Sequence, residues 1–212
     1  MIRAQLRLQT WLSPAFPIGA FAYSHGIEWA VETGDIADAA TLQGWLDDVL
    51  RHGTGRSDAI LLRSAHAACD DLHALDELAE LAAALSPSRE RRLETTAQGQ
   101  AFARAASPWY TLPPLPYPVA VGALAGRSGI DAELTTACYL QAFVANLISA
   151  AVRLIPLGQS DGLRVLAGLE PVILAVTHAT TDATLDDIGG CAFVSDLAAM
   201  CHETQYTRLF RS

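Results

Sequence analysis

The spacing of hydrophobic residues predicts helices along almost the whole chain. After Asp38, hydrophobic side chains recur every three or four residues, which places them on one face of a helix. They are Leu42, Trp45, Leu46, Val49 and Leu50. The same spacing recurs over residues 72–85. No stretch alternates long enough between hydrophobic and polar residues to build a sheet. The pattern therefore predicts an all-α fold.

Prolines, glycines and capping side chains predict where these helices begin and end. Helices are expected over 3–12, 24–33, 72–85, 88–106, 117–127, 131–154, 163–177 and 193–205, with one more after Asp38 and another capped by Ser57 or Asp58. Pro171 is expected to kink or split its helix. Gly34 is a predicted helix stop. The proline-rich residues 107–118 suggest a packed loop, because Trp109 lies in it. The prediction is one domain over residues 1–212, a bundle of roughly ten helices.

Composition narrows the class of function. The formal net charge is −9, so the basic surface that nucleic-acid binding requires is missing. All fourteen basic residues are Arg, which excludes Schiff-base chemistry and a phosphate-loop Lys. Hydrophobic residues make up 51% of the chain. A chain this apolar can bury a core and still expose apolar surface for partner proteins.

Location is predicted from the apolar segments and the cysteines. Residues 137–157 form the most apolar stretch, but Gln141, Asn146 and Arg153 interrupt it, so a buried helix is expected instead of a membrane span. The first residues lack the apolar core of a signal peptide. Four cysteines, none at two-residue spacing, are interpreted as reduced, small buried residues: Cys69, Cys138, Cys191 and Cys201. A cytoplasmic protein is expected.

No pattern predicts catalysis or a bound cofactor. The GxxxxGK and HExxH motifs are absent from the sequence. His66 with His73, or Cys201 with His202, does not provide the four ligands of a stable metal site. We therefore expect no enzyme activity and no permanently bound metal or cofactor.

Two carboxylates on one predicted helix face were considered as a pair. Glu90 and Glu94 are four residues apart, a spacing that brings side chains together on a helix. The interpretation favoured by sequence is an exposed pairing with Arg89 or Arg91.

The first of three unusual segments covers residues 16–28, FPIGAFAYSHGIE. Gly19 permits a backbone shape that other residues resist. His25 and Glu28 are expected one turn apart on the helix that follows. Phe16, Pro17, Gly19, His25 and Glu28 are candidate partner-binding residues; the alternative is a well-packed turn with a satisfied His.

The second segment covers residues 150–162, AAVRLIPLGQSDG. Arg153 lies in an apolar helix end, where it needs a carboxylate, carbonyl groups or a partner, or complements the helix dipole. Pro156, Gly158 and Gly162 suit a tight turn. Gln159 and Asp161 offer polar groups to a partner, although Asp161 could instead cap the next helix.

The third segment covers residues 200–212, MCHETQYTRLFRS. Aromatic and Arg side chains of this kind anchor protein interfaces. Residues 206–212 are predicted to be a partner-docking tail, in preference to a tail folded back on its own domain. The candidates are His202, Glu203, Tyr206, Arg208, Leu209, Phe210 and Arg211.

At these three segments the chain resembles the UreF family of urease accessory proteins. The matching stretches are SPAFPIGAFAYSHGIE, AAVRLIPLGQSDG and HETQYTRLFRS, in order and at fitting separations. The resemblance implies an all-α, dimeric, non-catalytic scaffold between UreD (UreH in some bacteria) and the GTPase UreG. On apo-urease that assembly couples GTP hydrolysis to nickel delivery, so nickel and GTP are handled by the wider complex.

The resemblance also implies roles for individual residues. Arg153 and Gly158 fall in the stretch that faces the GTPase, and Arg208 falls in the tail used for complex formation. Arg153 or Arg208 could reach the GTPase site in trans, but ordinary docking explains both. The alternative function is a stand-alone helical small-molecule-binding module or enzyme.

Overall fold

The computed structural model describes residues 2–212, which form ten α-helices and contain no β-strand. The helices are α1 (Ile2–Trp11), α2 (Ile27–Thr33), α3 (Ala39–His52), α4 (Thr54–Ala67), α5 (Leu72–Ala84), α6 (Arg89–Ala105), α7 (Tyr117–Arg127), α8 (Ala132–Leu154), α9 (Gln159–Ala179) and α10 (Phe193–His202). Short 3₁₀ turns cover Ala20–Ala22 and Leu185–Asp187. The predicted all-α fold of roughly ten helices is confirmed.

Helix α7 forms the centre of the bundle. Every residue from Pro118 to Ala125 is buried, with α4 and α6 as its main neighbours. Gly122 allows α4 to approach closely, because a Cβ atom there would lie 2.1 Å from the carbonyl oxygen of Leu62. Gly126, one turn later, lies equally tightly against the backbone of His66. The remaining helices pack around this core, with α9 against α3 and α8, and α10 against α2 and α6.

The residues just before α2 were predicted to be helical, but in the structure they form a turn. His25 and Gly26 have φ angles of 61° and 82°, both in the left-handed region. The helix therefore begins at Ile27, and the predicted start at residue 24 was wrong. Its end is as expected, since Gly34 has a φ of 84° and caps the helix.

Three further boundaries differ from the sequence prediction. Helix α4 begins at Thr54, so Ser57 and Asp58 lie inside it and the predicted cap was wrong. The Asp58 carboxylate instead accepts a hydrogen bond from the Tyr139 hydroxyl at 2.6 Å. Helix α9 runs through Pro171 without a break. Pro171 and Ala167 both lie on the exposed side, so the carbonyl left without a donor faces solvent. Helix α10 ends at His202, three residues early.

The proline-rich loop is packed, as predicted. Trp109 meets Trp11 edge-on, with ring centres 5.7 Å apart, and Leu112 and Leu115 are buried.

The cysteines differ from expectation: Cys191 is exposed and the other three are half-buried.

Helices α8 and α9 are long and apolar enough to cross a membrane on length and composition alone. That is weak evidence for a span, because core helices pass the same test. Both helices pack against other parts of the bundle.

Candidate partner-docking site

The three unusual sequence segments meet in space. Nη2 of Arg153 donates a hydrogen bond to the Phe21 carbonyl at 2.5 Å, and the same guanidinium lies 4.2 Å from the centre of the Phe210 ring. The Arg211 N–H donates to the Ala22 carbonyl at 2.9 Å. The turn before α2, the end of α8 and the C-terminal tail (residues 206–212) thus form one site.

The turn before α2 depends on Gly26. Its left-handed φ favours glycine. A Cβ atom at this position would also lie 2.8 Å from the backbone nitrogen of Ala199 in α10. Gly26 therefore lets α10 pack directly on the turn, next to the tail that follows α10.

His25 is buried inside the site as a neutral ring. Its ring centre lies 5.2 Å from that of Phe143, and Nε2 is 3.3 Å from the Thr54 hydroxyl. Burial, with help from the Arg91 charge, lowers the pKa of His25 to about 4, although Glu94 opposes the shift. At neutral pH the ring is uncharged, and it lies before α2, so the predicted helical pairing with Glu28 was wrong.

Glutamates hold the tail against the helices. Glu28, which is only 7% exposed, accepts hydrogen bonds from the backbone N–H groups of Leu209 at 2.6 Å and Phe210 at 2.9 Å. Glu32, one turn further along α2, accepts from the Gln205 side chain at 2.9 Å. The tail is therefore fixed through its backbone as well as its side chains.

His202 lies fully buried between two carboxylates. Its Nδ1 is 2.6 Å from Glu90 and its Nε2 is 3.2 Å from Glu28. Each ring nitrogen thus lies within hydrogen-bonding distance of a glutamate oxygen. The second Glu90 oxygen accepts from Arg208 at 2.6 Å. The triad of Glu28, His202 and Glu90 thus joins α2, α10 and α6.

A second ion pair lies deeper on α6. Arg91 and Glu94 are both buried and hydrogen-bonded, so the predicted exposed pairing was wrong. Burial would raise the pKa of Glu94, but the Arg91 charge, the nearby His25 ring and a hydrogen bond from the Ser212 hydroxyl outweigh it and lower the pKa to about 2. The sequence signal was available: residues 91, 94 and 98 are polar, yet they share a helix face with buried Phe102.

Asp58 approaches this cluster from α4. Burial raises the pKa of Asp58 to about 6, although the hydrogen bond from Tyr139 and the Arg91 charge oppose the shift. The same buried region raises the pKa of Tyr139 well above its usual value, and burial is the main cause. The bundle thus encloses ionisable groups from four elements.

Apolar side chains cover the outside of this site. On α10, Phe193, Val194, Leu197 and Met200 are exposed, and they recur at helical spacing. Tyr206 and Leu209 of the tail, which follows α10 in the chain, are exposed as well. We name the docking face by its six members: Phe193, Val194, Leu197, Met200, Tyr206 and Leu209.

The tail itself is folded back on the chain. Phe210 is buried, whereas Arg208, Leu209 and Arg211 remain exposed. The structure therefore shows the self-packing that sequence reasoning had ranked second, and the docking of a partner on the exposed side stays a prediction. Glu203 contributes by accepting from the Arg89 N–H at 2.7 Å, which caps α6.

The predicted residues around the start of α9 form a separate, more exposed group. Gly158 is the N-cap residue of α9, which begins at Gln159, so the predicted start at residue 163 was wrong. Asp161 accepts the Gly158 N–H at 3.1 Å, so the capping alternative for Asp161 is what the structure shows. Pro156 and Gln159 are exposed, and Gly162 is buried.

An open apolar groove is lined in part by residues 12–21, which connect α1 to the turn before α2. It has a volume of about 1150 Å³ and runs between α1, residues 12–21, α8 and α9. Pro17, Gly19, Phe143 and Leu174 are among its lining residues, and Phe16 lies at its edge against Phe102, with ring centres 5.5 Å apart.

Among residues 2–212, no group of three or more His, Cys, Asp or Glu side chains could hold a metal ion. The buried ionisable groups instead bind one another and the tail. Fold and site together define an all-helical protein whose distinctive surface is the apolar docking face.

Comparison with known proteins gives the family. The UreF family model matches residues 36–170, and the chain belongs to the UreF family. A relative from Bradyrhizobium sp. (strain BTAi1) is 55% identical over 99% of this chain and 92% of its own length. Relatives from Rhodopseudomonas palustris (strain BisB18) and Mesorhizobium japonicum are 53% and 51% identical, each over 99% of this chain and 92% and 96% of their own lengths. All three are named urease accessory protein UreF, so the predicted resemblance is confirmed.

Proposed function

We propose that this chain is a non-catalytic scaffold in urease maturation that bridges UreD (or UreH) and the GTPase UreG on apo-urease. The observation that supports this most directly is the docking face, a set of large apolar side chains exposed together on α10 and the tail. Exposed apolar patches of this kind are typical of protein–protein contact. The family supports a role in urease maturation.

In this proposal each partner has its own surface. UreD binds the docking face and the exposed tail residues Arg208 and Arg211, because apolar anchors rimmed by Arg are the residues that dominate interfaces. UreG binds the exposed turn at Pro156 and Gln159. The two surfaces communicate through Arg153, which closes α8 just before that turn and contacts both Phe21 and Phe210.

The internal contacts of the two candidate arginines favour docking over catalysis. Arg153 is engaged with the Phe21 carbonyl and the Phe210 ring, and Arg208 is engaged with Glu90. We propose that both shape binding surfaces and that neither is supplied to the GTPase site. Nickel and GTP would then be handled by the wider complex in the cytoplasm, where we expect this chain to act without a permanent cofactor.

The apolar groove favours a second copy of the chain as a further partner. Its volume of about 1150 Å³ lies just above the usual range of ligand pockets, about 300–1000 Å³, and it is open where such pockets enclose their ligand. We propose that the groove forms a homodimer contact. A small molecule retained through purification would instead favour the stand-alone binding module.

The test of the scaffold is binding of purified UreD and UreG to the full-length chain and to a chain truncated after Gln205. We expect the full-length chain to bind both partners and the truncated chain to lose UreD. Leu197→Asp places a charge in the docking face and should weaken UreD binding at least tenfold. Leu185→Asp is the matched control, because Leu185 is 42% exposed against 46% for Leu197 but lies outside the docking face.

Binding of neither partner by the full-length chain would overturn the scaffold. Equal UreD binding by Leu197→Asp and the full-length chain would move the interface away from the docking face. GTP hydrolysis by the complex provides the third measurement, because undiminished turnover with Arg153→Ala in an intact complex would exclude Arg153 as a catalytic group.

A further inference from the structure

We infer that Glu28, His202 and Glu90 are positioning residues that shape the tail for its partner, although their own side chains face inward. The inference rests on the proposed function, in which the outer side of the tail contacts UreD. All three side chains are at least 85% covered, so their effect on a partner must pass through the tail.

Glu28 determines which way consecutive tail residues face. One carboxylate accepts the backbone N–H groups of both Leu209 and Phe210. With both N–H groups directed at the same acceptor, the Leu209 side chain is left exposed on the docking face, whereas Phe210 is buried under Arg153. A carboxylate on α2 thereby sets the exposure of an anchor that belongs to the tail.

His202 keeps that carboxylate in place. Its buried ring lies between the Glu28 and Glu90 carboxylates and contacts an oxygen of each. Arg208 contacts the other oxygen of Glu90. The triad therefore links the last turn of α10 to the tail that follows it, and both parts contribute residues to the docking face.

Amide hydrogen exchange in the full chain tests the first step. Loss of a hydrogen bond to a charged acceptor should accelerate exchange of the Leu209 and Phe210 amides by about ten- to a hundredfold. We expect this in Glu28→Gln and in His202→Gln. Glu32→Gln is the control on the same helix, because Glu32 accepts from the Gln205 side chain, just before the tail, and not from the amides of Leu209 and Phe210. His178→Gln is the control for His202, since His178 also lies in the last turn of a helix beside a glutamate but is exposed.

Substitutions in the tail itself provide a second test that does not depend on correct folding of variants with a changed buried residue. Leu209→Pro removes the N–H that Glu28 accepts, and Leu209→Ala removes the same side chain but keeps the N–H. We expect at least tenfold faster exchange of the Phe210 amide in Leu209→Pro than in Leu209→Ala, with unchanged exchange in α7. We also expect Leu209→Pro to bind UreD at least threefold more weakly than Leu209→Ala.

Unchanged exchange of Leu209 and Phe210 in Glu28→Gln and of Phe210 in Leu209→Pro would overturn the inference. Faster exchange with undiminished UreD affinity would also overturn it, because the tail order would then have no bearing on the partner. A wild-type chain that binds no UreD would overturn the proposed function instead, while the exchange rates would still report on the tail contacts.

Discussion

At the scale of single residues, His25 combines two demands that are rarely met together. Its φ of 61° is uncommon for residues other than glycine, although Asn, Asp and His adopt it more often than most. Its buried ring is neutral, because burial lowers the pKa to about 4. In the unfolded chain His25 has an ordinary pKa near 6.5, so the unfolded state binds a proton that the folded state excludes.

This difference predicts acid sensitivity that His25→Asn should reduce. Wild-type stability loses the His25 contribution as the pH falls from about 6.5 to 4. The stability difference between wild type and His25→Asn should therefore shift against wild type by on the order of 2–3 kcal/mol over that range. Asparagine suits the left-handed backbone and does not titrate. Denaturant unfolding at pH 7.0, 5.5 and 4.5 measures the difference.

Because the unfolding free energy of His25→Asn is subtracted from that of wild type, groups that titrate alike in both proteins over this pH range cancel. Asp58, with its raised pKa of about 6, contributes an opposite trend that is present in both proteins. His178→Asn, at an exposed site, is the control and should show a constant difference. A pH-independent difference for His25→Asn would contradict the buried neutral ring.

The sequence identified the important residues of the site but not their contacts. His25, Glu28, Arg153, His202 and Arg208 were all candidates, and the structure brings them to one region. The side-chain hydrogen-bond partners of Glu28, Arg153, His202 and Arg208 are more than a hundred residues away, and no local pattern encodes such pairings. The backbone of His25 was missed for a related reason: a left-handed non-glycine residue is imposed by tertiary packing, here by α10 against Gly26.

At the scale of helices, periodic segments were predicted well and their starts less well. The regular stripe in α3 matches the structure, and Asp38, Ser88 and Asp131, at which three helices were expected to start, are their N-cap residues. Helix α4 lacks a capping side chain at Gly53, so the nearest polar residues were chosen wrongly. Helix crossings follow no such local rule, and the approach of α4 to α7 rests on Gly122.

Gly122→Ala should therefore be destabilising, although alanine favours helices. The new Cβ atom would overlap the Leu62 carbonyl, and α4 would have to move, at a cost of about 1–3 kcal/mol or more. Gly44→Ala in α3 is the control, because no atom lies within 4 Å of its added Cβ. It should stabilise by about 0.5–1 kcal/mol. Thermal unfolding of both variants measures the difference in stability between them. Similar melting temperatures would mean that α4 can move away from α7 at little cost.

At the scale of the whole molecule, the groove and the docking face are formed by different residues, since no member of the docking face lines the groove. Residues 12–21 line the groove, and residues 21–28 hold the tail. A homodimer formed through the groove would thus leave the docking face free for UreD. The chain could then carry both contacts at once, as a bridging scaffold requires.

Leu174→Arg tests the homodimer. Leu174 lines the groove and is 54% exposed, so the substitution should add charge without disturbing the core. We expect light scattering after gel filtration to show a dimer for wild type and a monomer for Leu174→Arg. Leu163→Arg is the control, because Leu163 lies on the same helix, is 66% exposed and does not line the groove. A dimer that persists in Leu174→Arg would place the contact elsewhere.

The pairing of the tail with the turn before α2 also bears on how the chain folds. The Ser24 N–H donates to the Ser212 carbonyl, across 188 positions of sequence. Contacts between distant residues close large loops, and their entropic cost delays them relative to local helix pairs. The bundle around α7 should therefore form first and the tail contacts late. A partner that recognises the docking face would select chains that have finished folding and pass over intermediates in which only the helices have collapsed.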